Sequence, residues 1–137
     1  MPTDVSSTEY AAGRVFPMED ESSIRADFLE AFVYEGPRQR IKYRTNEFAA
    51  LCPFSGLPDM GTIWIKYIPQ TKLVELKALK YYLMSFRNVG IFQEAVTSRI
   101  YQDLHALLNP EALIVRTRYA TRGGIDTTCT ITSDEQS

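Results

Sequence analysis

The spacing of apolar residues changes twice along this 137-residue chain, and that change constrains the fold more than any other feature. Residues 40–44 alternate charged with apolar or aromatic side chains, and residues 62–68 are β-branched or aromatic for most of their length. Both patterns are typical of strands. Pro69 ends the second strand, and residues 73–76 are expected to pair with it through a turn at 69–72. Residues 31–34 form either a short strand or the end of a helix.

From Ala78 onward the period becomes helical, because four apolar residues fall at positions i, i+3, i+4 and i+7. This predicts a first helix that ends near Asn88, with Gly90 as the break. A second apolar stripe that includes Phe92 predicts a helix over residues 91–108, and Asn109-Pro110 stops it. Residues 113–120 and 125–132 return to strand patterns around a turn at residues 122–124. The predicted order is ββααββ, an α+β domain with an antiparallel sheet and two helices on one of its faces.

Length and composition exclude several classes of protein. A chain of 15.6 kDa has room for one domain and a real core, and none for a separate cofactor domain. We expect a flexible N-terminal arm over residues 1–27, which are polar and without a sustained period, and a single domain over residues 28–137. The net charge of −2, with both signs interspersed, argues against nucleic acid or an anionic membrane as the main partner.

The two cysteines, Cys52 and Cys129, indicate the compartment. With no apolar leader at the start of the sequence, two thiols fit a reducing, cytoplasmic location better than a secreted disulfide scaffold. No apolar run is long enough to span a bilayer. We therefore expect both thiols to be free.

The loop over residues 51–59, Leu-Cys-Pro-Phe-Ser-Gly-Leu-Pro-Asp, is the segment most suggestive of chemistry. Its prolines, glycine and serine predict a rigid turn, so that Cys52 and Asp59 at its two ends can face one pocket. A thiol and a carboxylate placed in this way suggest a nucleophile and a proton donor. Taken alone, a loop of this kind more often contains a small buried cysteine and an aspartate that forms a turn.

A second group of residues suggests an anion site. Lys77 and Lys80 are three residues apart and share a face if they are helical, beside a predicted helix N-terminus that favours anions. Arg122 adds a cation on a turn whose glycines allow a ligand to approach closely. Two lysines on a helix are more often a solvated face, and Arg122 alone would be an ordinary hairpin tip.

Together these segments resemble the QueF family, the NADPH-dependent 7-cyano-7-deazaguanine reductases that make the precursor of queuosine. The resemblance covers about residues 41–131 and rests on five segments. These are Leu51-Cys52-Pro53 with Asp59, the signature Glu75-Leu76-Lys77-Ala78-Leu79-Lys80-Tyr81-Tyr82, Ser85-Phe86-Arg87-Asn88, Glu94, and Arg122-Gly123-Gly124.

The resemblance implies a four-electron reduction of a nitrile to a primary amine that consumes two NADPH in turn and requires no metal. Cys52 is then the nucleophile that adds to the nitrile carbon and gives a covalent thioimide. Asp59 is then the general acid that protonates the nitrile nitrogen. In queuosine biosynthesis the product is 7-aminomethyl-7-deazaguanine.

The resemblance also implies the binding residues. Glu94 accepts hydrogen bonds from the guanine-like edge of the substrate, and the segment Val74-Glu75-Leu76 lines the pocket. Lys77, Lys80 and Arg122 are the expected contacts to NADPH. One position departs from the family pattern, because the residue before the glutamate is usually histidine and is Gln93 here. Glutamine can orient the substrate, but it cannot exchange a proton near neutral pH.

The fold implied by the resemblance is the tunnelling fold, in which small subunits form rings of strands with the helices outside. We therefore expect a homo-oligomer, a decamer of two stacked pentamers, with pockets between neighbouring subunits. Three alternatives stay open at this point. They are a zinc-dependent GTP cyclohydrolase of the same superfamily, for which one histidine, His105, and two cysteines are too few ligands, an amidine-forming relative that acts on the same nitrile in tRNA, and a protein that binds the deazaguanine without reducing it.

Overall fold

The structure is a computed structural model that describes residues 17–136 of the chain. Its fold is α+β, with six strands, two α-helices and three short 3₁₀ turns in this range. The strands are β1 (Ala31–Val33), β2 (Ile41–Leu51), β3 (Pro58–Ile68), β4 (Lys72–Val74), β5 (Ala112–Tyr119) and β6 (Thr128–Thr132). The helices are α1 (Leu76–Met84) and α2 (Gln93–Leu108), and the 3₁₀ turns are Glu21–Ser23, Ala26–Phe28 and Ser133–Glu135.

Four strands form the main antiparallel sheet, in the order β2-β3-β5-β6. The long ladder between β2 and β3 runs from the Ile41–Tyr67 pair at one end to the Leu51–Pro58 pair at the other. An extra residue in β2 between Thr45 and Phe48 makes a bulge. Within β3, alternate side chains are buried under the helices, as the strand pattern of the sequence predicts.

The short strand β4 does not pair with β3. The sequence analysis predicted that pairing, and it is wrong, because Val74 lies opposite Ala31 in a separate two-stranded sheet with β1. This also settles residues 31–34 as a strand followed by a bend. Three-residue strands carry too little pattern to indicate their partner.

The first helix differs from its predicted bounds at both ends, and the second differs at its start. Glu75 caps α1, which therefore begins before Ala78, and the helix ends at Met84, after which Phe86 is buried from a turn. The end of α2 is as predicted, with Asn109 in the left-handed conformation. Its start is not, because Phe92 is the N-terminal flanking residue and is 51% exposed instead of belonging to the buried stripe. The buried face of α2 is Val96, Ile100, Leu104 and Leu108.

Residues 17–27 contact the folded domain closely. Glu19 forms a parallel bridge with Val89, through hydrogen bonds to the backbone of Asn88 and Gly90, and Ile24 is buried in the core. The remaining residues of the predicted arm, 1–16, lie outside the described range. The domain boundary at residue 27 stays a prediction.

The last strand is shorter than predicted and begins at Thr128 instead of residue 125. Arg122 and Ile125 close a turn through two backbone hydrogen bonds, and Gly123 and Gly124 both have positive φ at its centre. This is the backbone of a tight hairpin turn that glycine favours. It places Arg122 beside the start of β3.

Candidate active site

The loop that carries Cys52 connects β2 to β3 and is held at both ends. The Cys52 N–H donates to the Leu57 carbonyl, and the Gly56 N–H donates to the Cys52 carbonyl, each at 2.9 Å. The Phe54 ring packs edge-on against Phe92, with 5.6 Å between ring centroids. The loop is therefore fixed on itself and against the chain that enters α2, as the rigid turn predicted from the sequence requires.

The Cys52 thiol is partly exposed, and its surroundings favour the thiolate. The Ser55 hydroxyl, the Ser55 N–H and the Phe54 N–H lower the pKa of this thiol by hydrogen bonding to the sulfur. Burial and the negative charge of Asp59 act in the opposite direction with smaller effects. A cysteine with a lowered pKa and access to solvent is one that reacts as a nucleophile.

The Asp59 carboxyl lies at the same end of the sheet, opposite Ala50 in the ladder, and is 8% exposed. Burial raises the pKa of Asp59, whereas the positive charge of Arg122 lowers it. The Arg122 guanidinium forms an ion pair with Asp59 Oδ1, without the geometry of a hydrogen bond. Within residues 17–136 this oxygen has no hydrogen-bond partner. The carboxyl is thus placed where a proton is easier to retain than in water.

The N-terminus of α2 brings Gln93 and Glu94 to this end of the sheet. The Gln93 side chain is buried, and its Nε2 donates to the Thr117 carbonyl, the Thr117 hydroxyl and the Thr127 carbonyl at 3.0–3.2 Å. The amide of Gln93 therefore ties the helix to β5 and to the chain that enters β6. Glu94, by contrast, is exposed.

The sequence analysis assigned no role to Tyr119, which also lies in this cluster. It is the last inward-facing residue of β5, and only its position at the end of that strand, close to the turn at Arg122, could have indicated a place in the site. Burial raises its pKa, and the charges of Asp59, Cys129 and Glu94 raise it further. Cys129 is partly buried, and burial raises the pKa of its thiol, so it is less reactive than Cys52.

Val74, which the sequence analysis placed in the substrate pocket, lies at the opposite end of the sheet from Cys52. The Val74 N–H donates to the Tyr67 hydroxyl at 3.2 Å, and Tyr67 closes the far end of the β2–β3 ladder. From Pro58 to Tyr67 the strand advances nine residues, which is roughly 30 Å. One chain therefore does not bring Val74 together with Cys52.

At this opposite end, the N-terminus of α1 is occupied by the chain itself. The Glu75 carboxylate accepts hydrogen bonds from the N–H groups of Lys77 and Ala78, at 3.0 and 2.7 Å. The expected anion seat on free N–H groups is therefore filled by Glu75. Any anion bound here would be held by the lysine side chains.

The two lysines line different grooves. Lys77 lies beside Tyr81 and Glu75, with its Nζ 5.7 Å from the centroid of the Tyr81 ring. Lys80 borders a cavity of about 600 Å³ between β2 and α1, together with Lys42, Arg44 and Arg87. These four cations outnumber the one anion of the lining, Glu47, so the cavity wall carries a net positive charge. Neither Cys52 nor Asp59 lines this cavity.

In the described part of the chain, no three His, Cys, Asp or Glu side chains come together as a metal site would require. The exposed His105 stacks on Tyr101 near the other end of α2. No helix between residues 17 and 136 is long and apolar enough to cross a membrane.

Comparison with known proteins gives a consistent result. The profile of the family described as "QueF-like protein" matches residues 58–137, a stretch that includes Asp59 and begins after Cys52. The chain is 54% identical over 119 residues to the NADPH-dependent 7-cyano-7-deazaguanine reductase of Thermotoga petrophila, covering 86% of this chain and 87% of the relative. It is 47% identical to the enzyme of the same name from Caldicellulosiruptor bescii, covering 83% and 88%.

Among solved structures, the fold is similar to that of the archaeosine synthase QueF-Like in its apo form. The TM-score is 0.63 at 22% sequence identity, over 72% of this chain and 96% of the other. At this identity the likeness concerns the fold alone, and it agrees with the tunnelling fold expected from the sequence.

Proposed function

This chain belongs to the QueF-like protein family, and on that premise we propose that it is an NADPH-dependent 7-cyano-7-deazaguanine reductase. It converts the nitrile to 7-aminomethyl-7-deazaguanine, a step of queuosine biosynthesis, and uses two NADPH in each turnover. The observation that carries the proposal is the arrangement of a thiol with a lowered pKa and a buried carboxyl at one end of the sheet. Relatives at 54% and 47% identity bear the name of this activity.

Cys52 and Asp59 divide the first step between them. The thiolate of Cys52 adds to the nitrile carbon, and the carboxyl of Asp59 gives a proton to the nitrile nitrogen, which leaves a covalent thioimide. The lowered pKa of Cys52 supports its role as the nucleophile. The burial that raises the pKa of Asp59 supports its role as the proton donor. NADPH supplies the two hydrides that take the nitrile carbon to the level of an amine.

The ion pair between Arg122 and Asp59 must break before Asp59 can act as the proton donor. The Arg122 guanidinium is 54% exposed and sits on a glycine turn, so it can swing away at little cost when the substrate arrives. Once water and the guanidinium are displaced from the carboxyl, desolvation alone acts on Asp59 and favours its protonated form. Arg122 is then available for the phosphates of NADPH, together with Lys77 and Lys80.

The base of the substrate is held by Glu94 and by the segment Val74-Glu75-Leu76. A carboxylate that accepts from adjacent N–H donors discriminates against ligands that lack them. Gln93 supports this contact from behind, since its amide fixes the first turn of α2 that carries Glu94.

The split of these residues over roughly 30 Å supports a site shared between subunits. We propose that Val74, Glu75 and Leu76 of one subunit complete the site of Cys52 and Asp59 of its neighbour. The sheet offers edges for such an assembly, since β2 and β6 are its outer strands. A ring-based homo-oligomer, a decamer of two pentamers, is the form expected for this fold. A free nucleophilic thiol also fits a reducing, cytoplasmic location.

The test is the formation of an adduct in the absence of NADPH. Mass spectrometry of the chain incubated with 7-cyano-7-deazaguanine should show one added substrate at Cys52, and addition of NADPH should convert the nitrile to the amine. Cys52→Ala should abolish both results. Cys129→Ala is the matched control and should retain both, because its thiol has a raised pKa and no part in the step.

Other results would identify other functions. An unmodified mass under saturating nitrile would contradict the proposal and leave a binding protein. An adduct that yields an amidine, with no oxidation of NADPH, would assign the chain to the amidine-forming branch.

A further inference from the structure

Tyr119 carries a buried hydroxyl that nothing in the described part of the chain satisfies. The residue is 8% exposed, and its hydroxyl oxygen has no hydrogen-bond partner among residues 17–136. A buried hydroxyl without a partner is costly, and an apolar ring of the same shape would avoid the cost. Its presence therefore requires an explanation other than stability of the free chain.

Packing fixes the ring of Tyr119 close to the proton donor. Tyr119 lies opposite Gly61 in the sheet, and a Cβ at Gly61 would come within 2.7 Å of the ring. The Phe48 ring packs on it with 6.5 Å between centroids. Asp59 precedes Gly61 by two residues and so shares the same face of β3, diagonal to Tyr119. The hydroxyl thus has little freedom to find a partner elsewhere.

Three groups that are negative or can become negative act on the pKa of Tyr119, and the positive charge of Arg122 acts against them. Asp59, Cys129 and Glu94 all add to the effect of burial in raising the pKa of Tyr119. The phenol therefore keeps its proton throughout the neutral range. In this cluster its O–H is a hydrogen-bond donor without an acceptor among the described residues.

The Gln93 side chain, next to Glu94, cannot serve as this donor. The Gln93 amide has no donor to spare, since its Nε2 faces three oxygens at 3.0–3.2 Å. A second donor for the substrate must come from another residue.

We propose that Tyr119 is a further catalytic residue, whose hydroxyl donates a hydrogen bond to the cyano nitrogen of the substrate beside Asp59. The inference rests on the proposed reductase function. When the sulfur–carbon bond forms, one carbon–nitrogen π bond opens, its electron pair moves to nitrogen, and Asp59 transfers its proton there. Tyr119 keeps its own proton and stabilises the charge that develops on that nitrogen, as a preorganised donor does.

The experiment compares two variants that each remove one buried hydroxyl. Tyr119→Phe keeps the ring and should slow adduct formation with 7-cyano-7-deazaguanine by at least about tenfold, while its melting temperature stays equal or rises. Tyr82→Phe is the matched control. Its hydroxyl donates to Asp103 at 2.6 Å, so this variant should melt lower and form the adduct at the wild-type rate.

The outcomes separate the two proposals. Wild-type turnover with an equally fast Tyr119→Phe would overturn the role of Tyr119 and leave the reductase intact. A slow Tyr119→Phe that also melts lower would assign the hydroxyl to folding and overturn the role as well. A wild-type chain that neither adds nor reduces the nitrile would overturn the proposed function, and this inference with it.

Discussion

Burial and Arg122 act on the Asp59 carboxyl in opposite directions, and this balance sets the pH range of the first chemical step. Asp59 must carry a proton to act as an acid, while Cys52 must have lost one to act as a nucleophile. Hydrogen bonds to the sulfur lower the pKa of Cys52, and burial raises the pKa of Asp59. The two shifts move the required protonation states towards each other on the pH scale.

Removal of Arg122 should move the alkaline limit of adduct formation. The positive charge of Arg122 favours the carboxylate and lowers the pKa of Asp59, so Arg122→Leu should raise that pKa. Protonated Asp59 then persists to higher pH in the free chain, so the rate of adduct formation at low nitrile concentration, without NADPH, should fall off later on the alkaline side. Arg122→Lys keeps the charge and is the control. If the alkaline side of the pH–rate profile of Arg122→Leu stays in place or moves to lower pH, Arg122 does not act on Asp59.

At the residue scale, the sequence predicted that a restricted loop joins Cys52 to Asp59, and the structure has such a loop between β2 and β3. The catalytic roles of the two residues stay predictions. The sequence was not enough to identify Tyr119, which reads as one of several alternating positions in β5. Its importance depends on an absence of partners that exists only once the strands and α2 have come together. The commitment of the Gln93 amide to Thr117 and Thr127 likewise depends on register between distant segments.

At the scale of the elements, Glu75 links the family signature to the start of α1. Its carboxylate caps the helix, and the N–H groups of Ala78 and Lys77 lower the pKa of Glu75. A lowered pKa means that this contribution to stability is complete above the ordinary carboxyl range and is lost as the pH falls through the lowered value.

Replacement of Glu75 should therefore destabilise the helix in a pH-dependent way. Glu75→Ala removes the acceptor for two backbone N–H groups and should lower the melting temperature by a few degrees at neutral pH. The difference from wild type should shrink in acid, where the wild-type carboxyl is protonated. Glu75→Asp retains a capping carboxylate and should stay close to wild type at every pH, measured at matched protein concentration. A difference in melting temperature between wild type and Glu75→Ala that persists in acid would contradict a stabilising role for the charge of Glu75.

The elements themselves could be predicted from the sequence, and their partners less well. The period of the apolar residues gave both helices and the long strands, because many residues contribute to each pattern. It did not give the pairing of β4 with β1, since three residues on each side fit any neighbour. It placed Phe92 on the buried stripe of α2, whereas the ring packs on the loop of Cys52, a contact that only the tertiary structure creates.

At the scale of the whole molecule, the proposal that two subunits share each site makes a prediction about mixed assemblies. Under that proposal, Cys52 of one chain and Leu76 of its neighbour hold the same substrate. Mixed assemblies of two inactive variants can test this directly.

Cys52→Ala and Leu76→Asp should complement each other. Leu76 is 48% exposed, so the aspartate can be accommodated in the fold while it blocks the pocket of the neighbour. When the two variants are mixed one to one and reassembled, about a quarter of the sites should combine an intact Cys52 with an intact Leu76. NADPH oxidation should recover to about that fraction. Each variant reassembled alone is the control, and a mixture as inactive as its components would mean that each site lies within one chain.

The edge strands β2 and β6 make a single subunit prone to aggregation. A strand with free N–H and C=O groups adheres to any other strand that it meets, and β2 is 11 residues long. In the proposed ring these groups are paired with the neighbouring subunit, whereas dilution releases single subunits by mass action. Dilute solutions should therefore aggregate and lose soluble protein on storage, whereas concentrated solutions should remain clear. Ordinary aggregation has the opposite dependence on protein concentration.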